Sequence, residues 1–471
     1  VSVAFTASDA ARWTGGVLRA GAPQARFAAV SIDTRTCPPS ALFVAIRGPR
    51  HDAHAFLDRA RAAGATGVVV EAGSGEALVG DAVRIEVEDT TRALGALAAG
   101  HRGGFDGPVV GITGSNGKTT TKEMCAAILE RRGPCLRTRG NLNNLYGLPL
   151  TLLSREPEHR FAVVELGMNR RGEIAALAAI ARPSVGVLTN VGSAHIGMLG
   201  SQEAIAAEKG DLLAALAPDA VAVVNADDPR ARAQADRTPA RVVRFGRSPE
   251  AEVRAEEAAP RGEGYAFRLV APAGEVEVEV PGLGETSVAN ALAAATAALV
   301  AGASLEDVRA GLAAYRPAAG RMQRRAGAGG TWILDDSYNA NPQSLEAALG
   351  ALARLGDRGR ALAVLGDMGE LGERAAEAHR SAGALAARLG LDGLLAVGEH
   401  AGEVAEGAAA AGMEGGKVQA FADPEDAVHA LRRRLAPGDW ILVKGSRSMR
   451  MERVVEALCA PEASGAVEEA S

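Results

Sequence analysis

Residues 111–120 read Gly-Ile-Thr-Gly-Ser-Asn-Gly-Lys-Thr-Thr, and no other stretch restricts the fold of this chain as much. The apolar run 109–113 before it predicts a buried strand. The run 119–132 after it places Met124, Ile128 and Leu129 on one face and predicts a helix. Glycines at such a strand–helix junction let backbone amides curl around phosphate oxygens, and the helix N-terminus adds its positive dipole end. Lys118 can then reach β- and γ-phosphates, and Thr119 offers a hydroxyl to Mg²⁺. Gly114, Ser115, Asn116, Gly117, Lys118, Thr119 and Thr120 are therefore the candidate ATP-binding residues. The spacing departs from the strict GxxxxGK[ST] form, because residue 112 is isoleucine and the glycines fall at 111 and 114. An ordinary glycine turn is the plain alternative. Strand, glycines, lysine and threonine all in register speak against it.

The same rhythm continues on both sides. Apolar runs at 161–166, 185–191 and 220–225 alternate with helical patterns at 173–181 and 201–216, which predicts a parallel sheet covered on both faces. Runs at 41–46, 67–70 and 83–87 with a helix at 54–63 predict a small α/β domain at the front. From 241 to 280 the pattern turns to period two, most plainly where Glu and Val alternate over 275–280. A small antiparallel insert with one wet face is expected there. Two alanine-rich helices follow, and beyond Arg316-Pro317 a second α/β series begins, with strands at 331–335, 361–365, 393–397, 417–421 and 440–443. The expected architecture is α/β in three domains: a small substrate domain (1–88), a central P-loop domain (89–316) and a C-terminal Rossmann-like domain (317–471). The tail after Ala460 is expected to fray.

Length and composition narrow the class. The 471 residues, 47% of them hydrophobic, suffice for several cores and exclude a disordered or disulfide-stapled chain. A net charge of −6 without a basic block argues against a nucleic-acid surface. Cys37, Cys125, Cys135 and Cys459 are scattered, which favours a reducing compartment. The longest apolar stretch, 289–305, is alanine-rich and carries Asn290 and Thr296, so no membrane span is expected. Residues 1–13 lack a basic start and an apolar run, and a cytoplasmic monomer is the expectation.

One bias sharpens the site. Of 51 basic residues only five are lysine, namely Lys118, Lys122, Lys209, Lys417 and Lys444. A lysine kept in so arginine-rich a chain suits a task that needs a compact point charge or a modifiable amine. Chance retention is the alternative, and it is preferred for Lys417.

Two further groups of residues bear on chemistry. Glu165 ends one predicted strand and His195 follows the next, at the carboxyl ends where ligands bind in parallel sheets. Together they can serve a second Mg²⁺; singly, each would read as a satisfied polar group. Lys209 lies on the helix that follows. In the last domain, Gly320-Arg321 precedes a strand ending in Asp335-Asp336-Ser-Tyr338-Asn339-Ala-Asn341-Pro342. These can be turn residues and a helix cap, or Arg321 can meet a γ-phosphate and Asp336 a ribose. Lys444, opening Lys-Gly-Ser-Arg447, looks like a grip for a carboxylate or phosphate.

With these segments the chain resembles the Mur ligases, ATP-dependent amide-forming enzymes of peptidoglycan synthesis. The resemblance runs from Ser31-Ile-Asp33-Thr-Arg35 to Lys444-Gly-Ser-Arg447. It includes Asn141-Leu-Asn143-Asn144, Glu165-Leu-Gly-Met-Asn169, the run 190–200, Ala207–Asp211 and Gly366–Gly372. The Glu-Leu-Gly-Met-Asn and Gly-Asp-Met-Gly-Glu-Leu-Gly runs point to the tripeptide-accepting branch, whose substrates are UDP-N-acetylmuramoyl-tripeptide and D-alanyl-D-alanine. The resemblance implies that Lys118 and Thr119 hold ATP phosphates and a first Mg²⁺, and that Glu165 and His195 serve a second. It makes Lys209 the lysine that becomes carbamylated. Asn290, Arg321 and Asp336 match contacts to adenine, γ-phosphate and ribose. Asp33, Arg35 and the 48–54 stretch with His54 match the site for the UDP end, and Asn143, Asn144, Asn339 and Lys444 are further substrate-side candidates. Two departures stand out: Thr286-Ser-Val-Ala-Asn290 where the family has His-Asn-x-x-Asn, and Asp52-Ala53-His54 where it has Asp-Gly-His. A sister ligase adding a diamino acid would carry an Asp-Asn-Pro-Arg selector in the last domain. Asp227-Asp-Pro-Arg230 instead follows a middle-domain strand. Folylpolyglutamate synthetase shares the loop style without the first-domain match. A nucleotide-binding switch is the rival from another class, and it would not need Glu165, His195 and Lys209.

Overall fold

The computed structural model describes residues 5–48, 51–74, 82–355 and 359–459. Three sheets organise them. The central one has nine strands, in the order Cys135–Arg137, Phe161–Glu165, Val109–Thr113, Val185–Leu188, Val221–Asn225, Arg241–Gly246, Val253–Arg261, Gly264–Ala271 and Gly274–Pro281. The first seven run parallel, and the last two pairings are antiparallel. Phe161–Glu165 and Val109–Thr113 are buried along their whole length, as their unbroken apolar runs require.

The expected antiparallel stretch is present from Val253 to Pro281, as an extension of the central sheet, but its expected first part is not antiparallel. Arg241–Gly246 pairs in parallel with Val221–Asn225, and the antiparallel strands simply extend the same sheet. The alternation at its end is real: Val278 and Val280 are buried while Glu275, Glu277 and Glu279 face solvent.

One face of this sheet carries the helices Lys118–Leu129, Thr286–Val300 and Leu305–Ala314. Their approach is close because the side chains are small. A Cβ on Gly311 would collide with the backbone of Ile128. The helices Thr90–Arg102, Glu173–Ala181 and Gln202–Ala214 pack into another core cluster.

The N-terminal sheet has five strands, in the order Val17–Ala20, Val83–Val87, Gly67–Glu71, Ala41–Val44 and Ala29–Ser31, with only the first pair antiparallel. The helix expected over 54–63 is a 3-10 turn, Ala53–Phe56, running into the helix Leu57–Ala62. Asp52 caps its start by accepting from His54 N. The C-terminal sheet has six strands, with Gln323–Ala326 antiparallel at the edge. Trp332–Asp336, Trp440–Lys444, Ala361–Gly366, Gly393–Val397 and Val418–Phe421 are parallel. Asn341 caps the helix Pro342–Ala353 with proline in its first turn. No helix among the described residues is long and apolar enough to cross a membrane. The tail expected to fray after 460, and residues 49–50 of the 48–54 stretch, lie outside the described residues.

Candidate active site

The carboxyl ends of the central strands and of Trp332–Asp336 and Trp440–Lys444 open onto one cavity of about 900 Å³. The glycine loop forms its floor. Gly114 and Gly117 have φ of 151° and 81°, and a Cβ on either would collide, with Thr189 and Asn290 respectively. The loop is stapled to the next strand's end. Ser115 N donates to Asn190 O at 3.0 Å, Asn116 N to Asn190 Oδ1 at 2.9 Å, and Gly192 N to Ser115 Oγ at 2.8 Å. That leaves the first-turn amides of Lys118–Leu129, which have no intrahelical acceptor, to face an anion.

Lys118 Nζ donates to Gly114 O at 2.7 Å. Burial lowers its pKa to about 8, with Glu165 opposing and Arg321 reinforcing the shift. Lys209, 1% exposed, comes from the helix Gln202–Ala214 behind the loop, and its Nζ donates to the same Gly114 O at 3.2 Å. Burial, then the Lys118 charge, pushes its amine well below the ordinary lysine range. It forms no same-helix ion pair with Glu208, whose carboxylate accepts from Gly172 N and Ile174 N at 2.7 and 3.0 Å.

Glu165, 1% exposed, takes Asn143 Nδ2 on Oε2 at 3.3 Å. Its Oε1 lies 3.4 Å from Lys122 Nζ and accepts no hydrogen bond. A buried carboxylate oxygen without a donor is costly unless a cation completes it. Lys122 also donates to Thr138 O at 2.6 Å, and Thr138 Oγ1 accepts from Glu165 N at 3.0 Å. His195 lies beyond its strand at φ 67°, with Nδ1 2.5 Å from Glu370 Oε2 of the C-terminal domain. The imidazole holds the Glu370 carboxyl below its usual range.

From the C-terminal side, Arg321 stacks over the Tyr338 ring at 4.1 Å and reaches Thr119 Oγ1 at 3.5 Å. Asn341 Nδ2 donates to Asn116 Oδ1 at 2.7 Å. Asp336 and Asn339 line the same cavity, as do Thr120 and Asn290. Asn144 lines it too, but its Oδ1 is taken by Tyr146 N and Gly147 N.

Other candidates lie elsewhere. Asp33 and Arg35 pair with each other at 2.6 Å on the N-terminal domain, outside the cavity. His54 donates from Nδ1 to Asp52 Oδ1 at 2.6 Å and accepts Glu71 N on Nε2 at 2.9 Å, so both ring nitrogens are engaged within that domain. Asp228 accepts from Val191 N and caps the helix Pro229–Ala233, while Asp227 accepts from Arg247 N and Ser248 N. Lys417 is exposed and 3.9 Å from Glu414, a plain surface charge. Sequence reasoning gave no role to Lys122, Asn190, Glu370 or the Asn341–Asn116 contact. Lys122 carried a signal through the scarcity of lysine, and Asn190, Glu370 and Asn341 lay within quoted segments without a role of their own.

Three family descriptions match the chain: Mur ligase family, catalytic domain over residues 26–102; Mur ligase middle domain over 112–298; and Mur ligase, glutamate ligase domain over 320–447. UDP-N-acetylmuramoyl-tripeptide–D-alanyl-D-alanine ligase of Escherichia coli (strain K12) is 40% identical over 438 residues, covering 91% of this chain and 93% of its own. The enzyme of the same name from Bacillus subtilis is 33% identical, with 91% and 92% covered. Among solved structures, MurF from Acinetobacter baumannii superposes with a TM-score of 0.88 at 35% identity, covering 96% and 98%. MurF ligase from Thermotoga maritima in complex with ADP does so with 0.80 at 31%, covering 91% and 96%. With three successive domain matches and full-length relatives on the geometry described, the chain belongs to the Mur ligase family.

Proposed function

We infer that this chain is an ATP-dependent amide ligase that joins D-alanyl-D-alanine to UDP-N-acetylmuramoyl-tripeptide, giving the UDP-linked pentapeptide. The observation that carries the reading is the convergence of Lys118, Glu165, His195 and Arg321, from two domains, on one cavity, in a chain whose relatives of that name match over nine-tenths of its length.

The terminal carboxylate of the tripeptide attacks the γ-phosphorus of ATP. An acyl phosphate forms and ADP leaves. The free amine of D-alanyl-D-alanine then attacks the acyl carbon, phosphate departs, and the amine loses its proton. Two anions must approach in the first step, so charge neutralisation dominates the barrier. Lys118 supplies a compact cation beside the loop amides, and Arg321 supplies a planar one from the opposite domain. Asn290 faces the adenine side and Asp336 the ribose. Asp33, Arg35 and His54 belong to the domain that grips the UDP end, and Asn143, Asn144 and Asn339 border the path of the peptide.

Thr119, Glu165 and His195 fit Mg²⁺, because Glu165 Oε1 is a buried carboxylate oxygen without a donor. Among the described residues no group of three or more His, Cys, Asp or Glu forms a ready metal site, so an ion held by these residues would need further oxygen ligands from elsewhere. Bound there, the two ions would offset phosphate charge during transfer. A neutral Lys209 amine can add CO₂ to form a carbamate, releasing one proton to solvent. The product is an anionic oxygen donor behind the loop in place of a second cation. The chain acts as a cytoplasmic monomer, with domain breaks near residues 88 and 316.

Incubation with ATP, Mg²⁺, UDP-tripeptide and D-alanyl-D-alanine, read by mass spectrometry, tests the reading. The pentapeptide and one ADP per product are expected. ATP hydrolysis without any joined product would favour a nucleotide switch instead.

A further inference from the structure

Lys444 reads in the sequence as a grip for a ligand and it borders the cavity, yet its amine is engaged within the C-terminal domain. It ends the strand Trp440–Lys444 at 2% exposure, and Nζ donates to Asp336 Oδ2 at 2.5 Å and to Asn339 O at 2.9 Å. Those two acceptors are the roots of the two arms by which the C-terminal domain touches the phosphate loop.

On the first arm, Asp336 Oδ1 accepts from Met322 N at 3.2 Å, and Tyr338 N donates to Gly320 O at 3.2 Å. Together they fix the turn 320–322, where Gly320 and Met322 both have positive φ, at 71° and 52°. Arg321 projects from that turn over Tyr338 towards Thr119. On the second arm, Asn339 precedes Asn341 by two residues, and Asn341 meets Asn116.

We propose that Lys444 is a positioning residue for Arg321: by holding Asp336 and the Asn339 carbonyl at once, it sets both arms against the phosphate loop. It does not meet substrate. A single ammonium suits the task because its donors diverge from one atom, whereas a guanidinium needs a planar slot that a site this buried lacks. The carboxylate of Asp336 keeps a second lone pair on each oxygen for a ribose hydroxyl. This inference rests on the reading of Arg321 as the γ-phosphate ligand.

A double-mutant cycle on full-length enzyme separates positioning from plain stability. Arg321→Ala is expected to lower kcat by roughly 10²–10³. Lys444→Met is expected to lower it about 100-fold, the order of loss that a misplacement of ~1 Å produces, with KM for the UDP-tripeptide unchanged. In the Arg321→Ala background, Lys444→Met should then cost almost nothing more, because the group it positions is gone. A purely structural lysine would lower the melting temperature in both backgrounds and multiply with Arg321→Ala. Multiplying losses, or near-normal kcat in Lys444→Met, overturn the proposal while leaving the ligase reading intact. A fully active Arg321→Ala overturns the role of Arg321 and this inference with it. Should Lys444→Met fail to fold because Asp336 is left as a lone buried charge, the same cycle is run in an Asp336→Asn background, where the same vanishing increment is expected.

Discussion

Lys118 and Lys209 aim their amines at one oxygen: Gly114 O accepts from Lys118 Nζ at 2.7 Å and from Lys209 Nζ at 3.2 Å. Two ammonium groups on one acceptor repel, and burial leaves little water to screen them. Burial, then the Lys118 charge, pushes the Lys209 amine well below the ordinary lysine range, with Glu208 opposing. Lys209 is the more deeply enclosed of the two, and its helix neighbour Glu208 faces away, onto Gly172 N and Ile174 N. Lys118 has Glu165 nearby to favour its charge. On the proposed reading, one lysine serves as a cation for phosphate and the other as a neutral amine for CO₂.

Lys209→Ala and Lys209→Arg are both expected to fold and to lose most activity. Carboxylic acids such as formate or acetate should partly restore the alanine variant, since they supply the missing anion. They should not restore the arginine variant, whose side chain fills the space with the wrong sign and cannot give a neutral amine. An active Lys209→Arg enzyme would sink the carbamate, because an ordinary ion pair is worth only about 0.3–0.5 kcal/mol and tolerates arginine.

Lys118→Arg keeps the charge and is expected to abolish turnover. The amine fits against Gly114 O inside a loop whose glycines leave no room even for a Cβ. A guanidinium cannot enter that curl without displacing the loop from Asn190. Steady-state kinetics of the variant is the check, and near-normal kcat would mean that the loop does not cradle phosphate in this way.

The depressed pKa of Lys118, about 8, gives nucleotide binding a pH signature. In the empty enzyme the amine is charged below pH 8 and increasingly neutral above it. Bound triphosphate restores the charge, so ATP binding should take up a proton above pH 8 and almost none near pH 6. Affinity should weaken by up to about tenfold per unit of alkaline pH. The sign for folding is opposite. From pH 8 to the ordinary value of 10.5 the unfolded lysine binds more protons than the folded one, so this group makes stability rise with pH over that window. Calorimetry in two buffers of different ionisation enthalpy reads the uptake, and equal heats at pH 8.5 would contradict it.

The glycine loop, the parallel sheet and the placing of Glu165 and His195 on one cavity are legible in the sequence because their causes are local: glycines at a strand–helix junction, unbroken apolar runs, residues at successive strand ends. The strands Val17–Ala20 and Ala29–Ser31 were not, since three or four residues carry too little periodicity to register. Arg241–Gly246 misled because a strand only partly covered alternates like one in an antiparallel sheet. The partners of Lys444 were hidden for a different reason. A lysine before Gly-Ser-Arg has the chemistry of a ligand grip, and only Asp336, 108 positions earlier, reveals that its charge is already matched. Asn341 lies in a segment open to a turn or helix-cap reading; it is the cap, and the same side chain also reaches Asn116 across the domain boundary. Pairings between distant strands' ends leave no mark on either segment alone.

Those cross-domain contacts bear on the last expectation, that ATP is consumed only when both co-substrates are bound. Arg321–Thr119 and Asn341–Asn116 bring the C-terminal domain onto the phosphate loop, and His195–Glu370 joins it to the end of a neighbouring central strand. The cavity between them, about 900 Å³, still has to be filled before water is excluded. An acyl phosphate formed in an open site would be hydrolysed, and so would ATP itself if the loop presented it to water. On the proposed reading the tripeptide carboxylate is the acceptor that makes phosphoryl transfer productive, and the dipeptide amine discharges the intermediate. Phosphate release should therefore be minimal with ATP and Mg²⁺ alone. With UDP-tripeptide added it should be limited to about one turnover, and it should become continuous only when D-alanyl-D-alanine is present. A continuous phosphate assay distinguishes the three conditions. Sustained hydrolysis with ATP and Mg²⁺ alone would mean that the two domains close without substrate, and the chain would then have to be read as a nucleotide switch built on a ligase fold.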